Sequence, residues 1–272
     1  MTKTIFITGA STGLGFATAQ LFASRDWKVI ATLRNPDSKE GQALAALAGV
    51  TVLALDVTQP AQIAAAASEA LALGPVDVVF NNAGYGLAGP FEGATDAQLT
   101  AQLDTNLLGT MRTTKAFIPA FRERGAGVFI ATTSIGGLVT FPLNSVYHAT
   151  KWALEGWSES LAYELAGFGI QVKTVAPGGI STDFAGRSLV LTQHPAYAAL
   201  SSKVMAAFRD PERRKFGSTA AQIAETVWEA ATDGKDQITY VAGQDAKATY
   251  AQRLAVGIEA FRKGVRAMFI GG

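Results

Sequence analysis

Residues 3–15, KTIFITGASTGLG, decide the fold. The segment opens with apolar and β-branched side chains, which predict a strand, and the run FATAQLFASR that follows has the periodicity of a helix. Between them, Gly9, Gly13 and Gly15 let the backbone turn tightly and approach a pyrophosphate, while the helix N-terminus offers unpaired N–H groups and a partial positive charge. The spacing is Gly-x-x-x-Gly-x-Gly, not the commoner Gly-x-Gly-x-x-Gly. The segment predicts a dinucleotide-binding turn, with a purely structural tight turn as the alternative.

Further short apolar runs follow the first strand, namely WKVIATL, VTVLAL, VDVVF, AGVFIAT, IQVKTVA and QITYV. Longer stretches rich in Ala and Leu, with helical periodicity, separate them. The runs are apolar throughout rather than alternating, as in a parallel sheet covered by helices on both faces. No linker rich in Pro, Gly or Ser divides the chain. We therefore predict an α/β fold in which residues 1–272 form a single doubly wound domain around a parallel sheet of about seven strands.

The composition favours a small-molecule partner. Lys and Arg total 23 and Asp and Glu total 22, so the formal net charge of +1 gives no field of one sign that would attract nucleic acid or an anionic membrane. The chain has no cysteine, which excludes disulfides, thiolate nucleophiles and cysteine metal sites. His148 and His194 are too far apart in sequence to suggest a metal site. We expect neither metal nor nucleic acid to bind.

The N-terminus and the hydropathy predict where the protein resides. MTKTIFITGAST lacks the charged leader and the apolar stretch of a secretion signal. No segment approaches the 18 or more uninterrupted apolar residues of a membrane span. The expectation is a soluble cytoplasmic protein that does not associate with membranes.

The end of the second strand predicts which cofactor is preferred. A site for an unphosphorylated ribose usually ends this strand with an acid, whereas a basic residue suits a 2′-phosphate. Here the strand ends Ala31-Thr32-Leu33-Arg34-Asn35, without a carboxylate. Arg34 can hold a phosphate with two hydrogen bonds, so we expect NADP(H) to be preferred over NAD(H). The alternative is a solvated arginine at a strand end.

A tyrosine and a lysine lie four residues apart in YHATK, residues 147–151. This spacing places Tyr147 and Lys151 on one face of a helix, within reach of the same small molecule. The alternative is that Tyr147 packs in the core while Lys151 extends to water.

The chain carries, in order, the motifs TGASTGLG at 8–15, Asp56-Val57, NNAG at 81–84, Asn106, Ser134, YHATK and Pro177-Gly178-Gly179-Ile180-Ser181-Thr182. Taken together, these motifs resemble those of the short-chain dehydrogenases/reductases from residue 4 to about residue 182. Ser134 lies 13 residues before Tyr147, as that family leads one to expect. The resemblance implies a Rossmann-type domain and an NAD(P)-dependent oxidoreductase that interconverts a carbonyl and an alcohol.

The resemblance also implies roles for the four candidate catalytic residues. Ser134 would hold the substrate oxygen, and Tyr147 would exchange a proton with it. Lys151 would bind the nicotinamide ribose and lower the pKa of Tyr147, while Asn106 would hold a water in a proton relay that reaches Lys151. Hydride addition leaves negative charge on oxygen, which needs such a donor and hydrogen bond in place.

The implied cofactor-binding residues lie mainly at the carboxyl ends of the strands, where open α/β sheets bind ligands. They are Gly9, Ser11, Thr12, Gly13, Leu14, Gly15, Arg34, Asp56, Val57, Asn82, Ala83, Gly84, Tyr147, Lys151, Pro177, Gly178, Ile180 and Thr182. Asp56 would receive the adenine amino group. Structural alternatives remain open: Asp56 as a turn former, Asn106 bonded to backbone and Ser134 as an ordinary strand-end hydroxyl.

Two regions depart from the strand and helix rhythm. Residues 182–216 exceed an ordinary connection and suggest a lid, and residues 244–269 form a helical extension without a following strand. The lid and the segment after Ser134 are rich in apolar side chains, which favours a hydrophobic ketone, aldehyde or alcohol as substrate. The apolar residues in question are Phe184, Leu189, Val190, Leu191, Tyr197, Leu200, Met205 and Phe208 of the lid, with Leu138, Val139, Phe141 and Leu143.

Two other functions stay open at this point. One is a reaction on the same scaffold that does not consume cofactor, such as epimerisation or dehydration. The other is a non-catalytic, nucleotide-sensing binding protein, which has no need of Asn106, Ser134, Tyr147 and Lys151 together. Because the family often assembles through long helices beside the sheet, a homodimer or homotetramer is also possible.

Overall fold

The structure is a computed structural model and describes residues 2–180, 188–210 and 215–271. The strands of these ranges are, in chain order, β1 (Thr4–Ile7), β2 (Lys28–Leu33), β3 (Val50–Ala54), β4 (Val78–Asn81), β5 (Gly86–Ala88), β6 (Gly127–Thr132), β7 (Ile170–Pro177), β8 (Leu189–Leu191) and β9 (Thr239–Ala242). Seven of them form a parallel sheet in the order β3-β2-β1-β4-β6-β7-β9. Each run proposed as a strand overlaps one of the seven, so the predicted sheet is confirmed.

Successive residues of a strand point into two different cores. In β1, Ile5 and Ile7 belong to one buried cluster and Phe6 belongs to the other. Phe80 and Val79 of β4 divide in the same way. Side chains alternate across a strand, so both faces of this sheet must be apolar and covered. This two-sided burial explains why the strand sequences are apolar throughout.

Helices cover both faces, as the doubly wound prediction requires. They are α1 (Gly13–Ser24), α2 (Lys39–Ala45), α3 (Pro60–Ala72), α4 (Asp96–Leu103), α5 (Gly109–Arg124), α6 (Ser145–Ala166), α7 (Ala198–Arg209), α8 (Ala220–Thr232), α9 (Gln244–Val256) and α10 (Ile258–Phe269). Phe22 of α1 and Val227 of α8 share one core. Ile63 of α3, Phe117 of α5 and Leu161 of α6 share the core on the opposite face.

The strand order places a ligand crevice between β1 and β4. From β1 the chain continues outward to β2 and β3, and then returns to β4, on the other side of β1. In open α/β sheets, ligands bind outside the carboxyl ends of the strands at such a reversal. The glycine turn after β1 and the NNAG segment after β4 both lie at this point.

A second, two-stranded parallel sheet joins β5 to β8, and the sequence did not predict it. The amide of Gly86 donates to the carbonyl of Ser188 at 2.8 Å, and the amide of Thr192 donates to the carbonyl of Ala88 at 2.8 Å. Each strand has three residues, and the partners lie about a hundred positions apart, so neither run carries a strand pattern of its own. The sheet fastens the described part of the suggested lid to the segment after NNAG. Residues 182–187 and 211–214 of that lid lie outside the described residues.

The helical extension after β9 consists of α9 and α10, which meet at Gly257. Phe261 and Phe269 of α10 are buried, whereas its Ile258 and Met268 are exposed. Of the helices in the described ranges, none is long and apolar enough to cross a bilayer.

Candidate active site

The turn after β1 has the close backbone contacts that a phosphate loop needs. Gly9 and Gly13 have φ angles of +65° and +56°, a region that side chains beyond glycine disfavour. A Cβ atom on Gly15 would lie 2.3 Å from the carbonyl oxygen of Gly9. Helix α1 begins at Gly13, and the side chain of Thr12 makes no capping hydrogen bond to the described residues. The first-turn amides therefore remain as donors for a pyrophosphate, and the turn fits a dinucleotide.

Three other residues predicted for this loop differ in exposure. Ser11 and Thr12 are half-buried, while Leu14 is buried in the core that α1 shares with the sheet. The side chain of Leu14 thus packs the fold, and only its backbone can contribute to a phosphate site.

Asn82 connects three strand ends. Its Nδ2 donates to the carbonyls of Thr8 and Gly9 at 3.2 and 3.1 Å, and its Oδ1 accepts from the hydroxyl of Thr132 at 3.2 Å. The amides of Asn82 and Ala83 both donate to the hydroxyl of Thr8, at 2.9 and 3.0 Å. The side-chain amide is therefore occupied with holding the glycine turn beside β4 and β6, as its suggested support of the sheet requires.

Arg34 directly follows β2 and is exposed. Among the described residues it has no hydrogen-bond or ion-pair partner. The end of β2 is tied to the glycine turn, because the amide of Ala10 donates to the carbonyl of Thr32 at 2.9 Å. The guanidinium is thus a free cation on a strand that ends beside the phosphate loop.

Asp56 and Val57 follow β3. One carboxylate oxygen of Asp56, Oδ1, accepts from the amide and the hydroxyl of Thr58 at 2.9 and 2.8 Å, so Asp56 does form the turn that was raised as its alternative role. The side chain of Val57 is buried against Gly109. A ligand can therefore reach Asp56 through Oδ2 and Val57 through its backbone.

Ser134 and Tyr147 meet at the carboxyl end of β6. Ser134 is the residue before a short 3-10 turn, Ile135–Gly137, and its hydroxyl oxygen accepts from the amide of Gly136 at 3.0 Å. Burial raises the pKa of Tyr147, and the hydrogen bond with Ser134 lowers it in part. The phenol consequently keeps its proton at neutral pH in the cofactor-free protein and stands ready as a proton donor.

Lys151 lies one turn after Tyr147 on α6 and is buried. Its Nζ donates to the carbonyl of Thr132 at 2.7 Å and lies 5.7 Å from the centre of the Tyr147 ring. Burial lowers the pKa of Lys151 to about 8, against the charge of Glu155, which raises it. The interpretation of Lys151 as a lysine that extends to water is therefore wrong, because its ammonium ends inside the protein.

Asn106 lies within a π-helical turn, Asp104–Leu108, between α4 and α5. Its Oδ1 accepts from the amide of Tyr85 at 3.0 Å, and its Nδ2 donates to the carbonyl of Tyr85 at 2.9 Å. A Cβ atom on Gly84 would lie 3.1 Å from Asn106 Oδ1 and 3.8 Å from Lys151 Nζ. The π turn, a feature often found at functional sites, brings Asn106 beside Lys151 although its amide is bonded to backbone.

The segment Pro177-Gly178-Gly179-Ile180 leaves the end of β7 beside the end of β9. Thr182, the last residue that the family resemblance placed in this segment, lies outside the described residues.

Two acidic residues that the sequence did not single out contact this machinery. The Oε2 of Glu155 accepts from the hydroxyls of Thr174 and Thr239 at 2.9 and 3.2 Å. Burial raises the pKa of Glu155, while its threonine hydrogen bonds and the charge of Lys151 lower it. Asp245, from α9, accepts from the amide of Gly179 at 2.7 Å. The four-residue spacing from Lys151 could have identified Glu155, but only the fold brings Asp245 here.

An apolar cavity adjoins the first turns of α6. Its volume is about 500 Å³, and its lining residues are Thr140, Phe141, Pro142, Leu143, Ser145, His148, Ala149 and Trp152. Beside it, the Phe141 ring centre lies 6.2 Å from that of Phe208 on α7 and 6.1 Å from that of Phe269 on α10. The predicted lid and the C-terminal extension thus meet the loop that follows Ser134.

Comparisons with known proteins connect this geometry to dehydrogenases. Residues 3–189 match the family described as short chain dehydrogenase. Human retinol dehydrogenase 8 is 35% identical over 240 residues, covering 84% of this chain and 76% of that protein. A short-chain dehydrogenase from Streptomyces avermitilis has a solved structure that is 31% identical, with a TM-score of 0.83 over 97% of this chain and 94% of that one. The alcohol dehydrogenase of the archaeon Thermococcus sibiricus, solved with 5-hydroxy-NADP, is 25% identical, with a TM-score of 0.73 over 89% of this chain and 97% of that one.

Proposed function

The chain belongs to the short-chain dehydrogenase family, and from that membership we propose that it interconverts a hydrophobic ketone or aldehyde and the corresponding alcohol with NADP(H). Members of the family of this kind are NAD(P)-dependent oxidoreductases that act on CH–OH donors, and so is this chain. The single observation that carries the proposal is the convergence of Ser134, Tyr147 and Lys151 at the carboxyl end of β6, beside a glycine turn that fits a dinucleotide.

In the direction of reduction, each of these side chains has one task. Tyr147 donates its phenol proton to the carbonyl oxygen, and the Ser134 hydroxyl donates a hydrogen bond to the same oxygen as negative charge develops there. The amide of Gly136 occupies one lone pair of Ser134, so the hydroxyl proton, which bonds to Tyr147 in the free protein, is what Ser134 can turn toward the substrate oxygen. Lys151 stabilises the phenolate that remains. A nicotinamide held at the glycine turn would supply the hydride for the carbonyl carbon, and alcohol oxidation would use the same side chains in reverse.

The aromatic residues beside the site support a bulky apolar substrate. Phe141, Phe208 and Phe269 come from three separate elements and meet next to a cavity of about 500 Å³. The lining adjoins Tyr147 on α6 without including Ser134, Tyr147 or Lys151, and it has no Asp, Glu, Lys or Arg side chain that would attract a charged substrate. Retinol dehydrogenase 8, a relative over most of the chain, is named for a long apolar alcohol.

The test of this function is a reductase assay on purified protein with substrates that differ in polarity. We expect NADPH absorbance to fall with a long-chain aldehyde and with a bicyclic ketone. Their kcat/KM should exceed that for pyruvate at least about a hundredfold, because a charged substrate would lose hydration without gaining a partner. Equal values for pyruvate and the apolar substrates would contradict the substrate class. Conversion of a substrate without net cofactor oxidation would instead favour the epimerase or dehydratase alternative.

Cofactor preference has its own test in Arg34→Ala. If the guanidinium holds the 2′-phosphate, the loss of a charge-assisted contact worth about 2 kcal/mol should raise the Kd for NADPH about thirtyfold. The Kd for NADH should change less than about twofold on the same argument. Fluorescence titration of each cofactor measures both values. Arg122→Ala removes an exposed arginine from α5 and serves as the control. If Arg34→Ala raised the Kd for NADPH and the Kd for NADH by the same factor, Arg34 would not bind the 2′-phosphate.

A further inference from the structure

The C-terminal extension reaches the segment that leaves β7 through one side chain. Asp245 is the second residue of α9, and its Oδ2 accepts from the amide of Gly179 at 2.7 Å. The two residues are separated by 66 positions in the sequence. No motif that suggested a cofactor site includes Asp245, so this contact is a property of the folded chain alone.

Asp245 also explains why glycine stands at position 178. A Cβ atom there would lie 2.3 Å from each carboxylate oxygen of Asp245, and all three of its nearest heavy atoms would belong to that side chain. The φ angle of Gly178 is not in the positive region, so the backbone itself accepts an L residue. A side chain at position 178 would therefore displace the Asp245 carboxylate, although the backbone conformation itself would accept it.

The same segment is held by two other parts of the fold. The amide of Gly178 donates to the carbonyl of Ala242 at the end of β9 at 3.0 Å, and the amide of Ser218 donates to the carbonyl of Gly179 at 2.9 Å. Asp245 adds the contact from α9, and its position in the first turn suits a carboxylate because the helix N-terminus is partially positive. Its Oδ1 is buried and has no hydrogen-bond partner among the described residues. A buried acceptor left in this state reduces stability, so folding alone does not account for it.

We propose that Asp245 is a positioning residue that fixes Gly178 and Gly179 within the segment that the family resemblance assigns to cofactor binding. The proposal rests on the proposed function, since it assigns the C-terminal extension a part in holding the cofactor. Without the carboxylate, the Gly179 amide loses its acceptor and space opens beside Gly178. The segment then has to be ordered by the cofactor itself, which lowers affinity for the cofactor.

A double-mutant cycle of Asp245 and Gly178 tests the proposal in the full-length protein. The readout is the Kd for NADPH without substrate, with kcat as a second measurement. Asp245→Ala should raise Kd about tenfold, because one hydrogen bond to a charged acceptor is lost. Asp245→Asn keeps a carbonyl oxygen for the Gly179 amide and should stay within about threefold of wild type.

Gly178→Ala in the wild-type background should raise Kd about thirtyfold or more, because its Cβ meets the carboxylate. Adding Asp245→Ala to Gly178→Ala should restore Kd to within about threefold of Asp245→Ala alone, since the clash disappears. If Asp245 had only a structural role, the variants would lower the thermal midpoint of unfolding, but the double variant would not restore the Kd for NADPH. Glu259→Ala is the control, because Glu259 lies on α10, is 72% exposed and pairs only with Arg262 among the described residues.

The possible failures are distinct. If wild-type protein binds neither NADPH nor NADH, the proposed function itself is wrong. If wild type binds cofactor while Asp245→Ala and Gly178→Ala bind it equally well, Asp245 does not position the segment. If the increases in Kd for NADPH of the two single variants multiply in the double variant, the effect of Gly178→Ala does not act through the Asp245 carboxylate, and the proposal is overturned.

Discussion

Tyr147→Phe is expected to lower kcat for carbonyl reduction about a thousandfold while the Kd for NADPH changes less than about twofold. The substitution removes the phenol oxygen and keeps the ring in place. Positioned proton donors contribute about a hundredfold to ten-thousandfold to such reactions. Burial raises the pKa of Tyr147 and the hydrogen bond with Ser134 lowers it in part, so the wild-type phenol carries the proton that the reaction requires. Single-turnover and steady-state assays measure kcat, and fluorescence titration measures Kd.

The same helix offers a matched control for this variant. Tyr163 lies on α6, is 75% exposed, and its hydroxyl contacts Glu159 at 3.3 Å. Tyr163→Phe therefore makes the same chemical change away from the site and should leave kcat within about twofold of wild type. If Tyr147→Phe kept wild-type kcat, another group would have to supply the proton and the mechanism would be wrong.

Lys151→Met is expected to impair both cofactor binding and proton transfer. Methionine fills a similar volume without charge, so the buried chain keeps its packing. A unit charge 5.7 Å from the Tyr147 ring centre contributes about 3 kcal/mol at an effective dielectric near 20, which is about two pKa units on the phenol. In alcohol oxidation, the limb of the kcat/KM profile that rises with pH should move upward because the phenolate becomes harder to form, and by at most about two units because Lys151 itself loses its charge above about pH 8. Initial rates between pH 6 and about pH 11 measure this shift.

The pH dependence of cofactor binding gives a second signature of Lys151. Its pKa is lowered to about 8 by burial, so the ammonium is present below that pH and is lost as the pH rises through it. If the ammonium binds the ribose, the Kd of wild type for NADPH should rise above about pH 8, whereas that of Lys151→Met should be larger at neutral pH and flat across this range. Lys115→Met, an exposed change on α5, is the control. If the Kd of Lys151→Met for NADPH matched that of wild type both at neutral pH and above about pH 8, and its kcat/KM profile did not move, Lys151 would take part neither in cofactor binding nor in proton transfer.

The fold followed from local patterns to a large extent. The seven sheet strands are apolar runs bounded by helices, and strands buried on both faces carry that pattern in their own residues. The sequences of β5 and β8 do not carry a recognisable strand pattern, because each strand has three residues. Each of them is stabilised by hydrogen bonds to a segment far along the chain. The sequence Gly86-Leu87-Ala88 alone would predict a loop, and the segment forms a strand because it pairs with Leu189–Leu191.

The sequence alone predicted which side chains form the site, whereas the fold determines what packs around them. The spacing of Tyr147 and Lys151 placed them on one helical face, but burial, which sets the direction of both pKa shifts, depends on what packs against that face. Asp56 could not be assigned from its neighbours, and the structure shows that one of its oxygens forms a turn with Thr58.

The sequence by itself determined the parallel sheet, the glycine turn and the tyrosine–lysine pair, because each is set by residues close together along the chain. Only the tertiary structure decided that Thr174 and Thr239 donate to Glu155, and that Asp245 lies against Gly178 and Gly179. These contacts join α6 to β7 and β9, and α9 to the end of β7. They depend on strand order and helix docking, which no local pattern of side chains encodes.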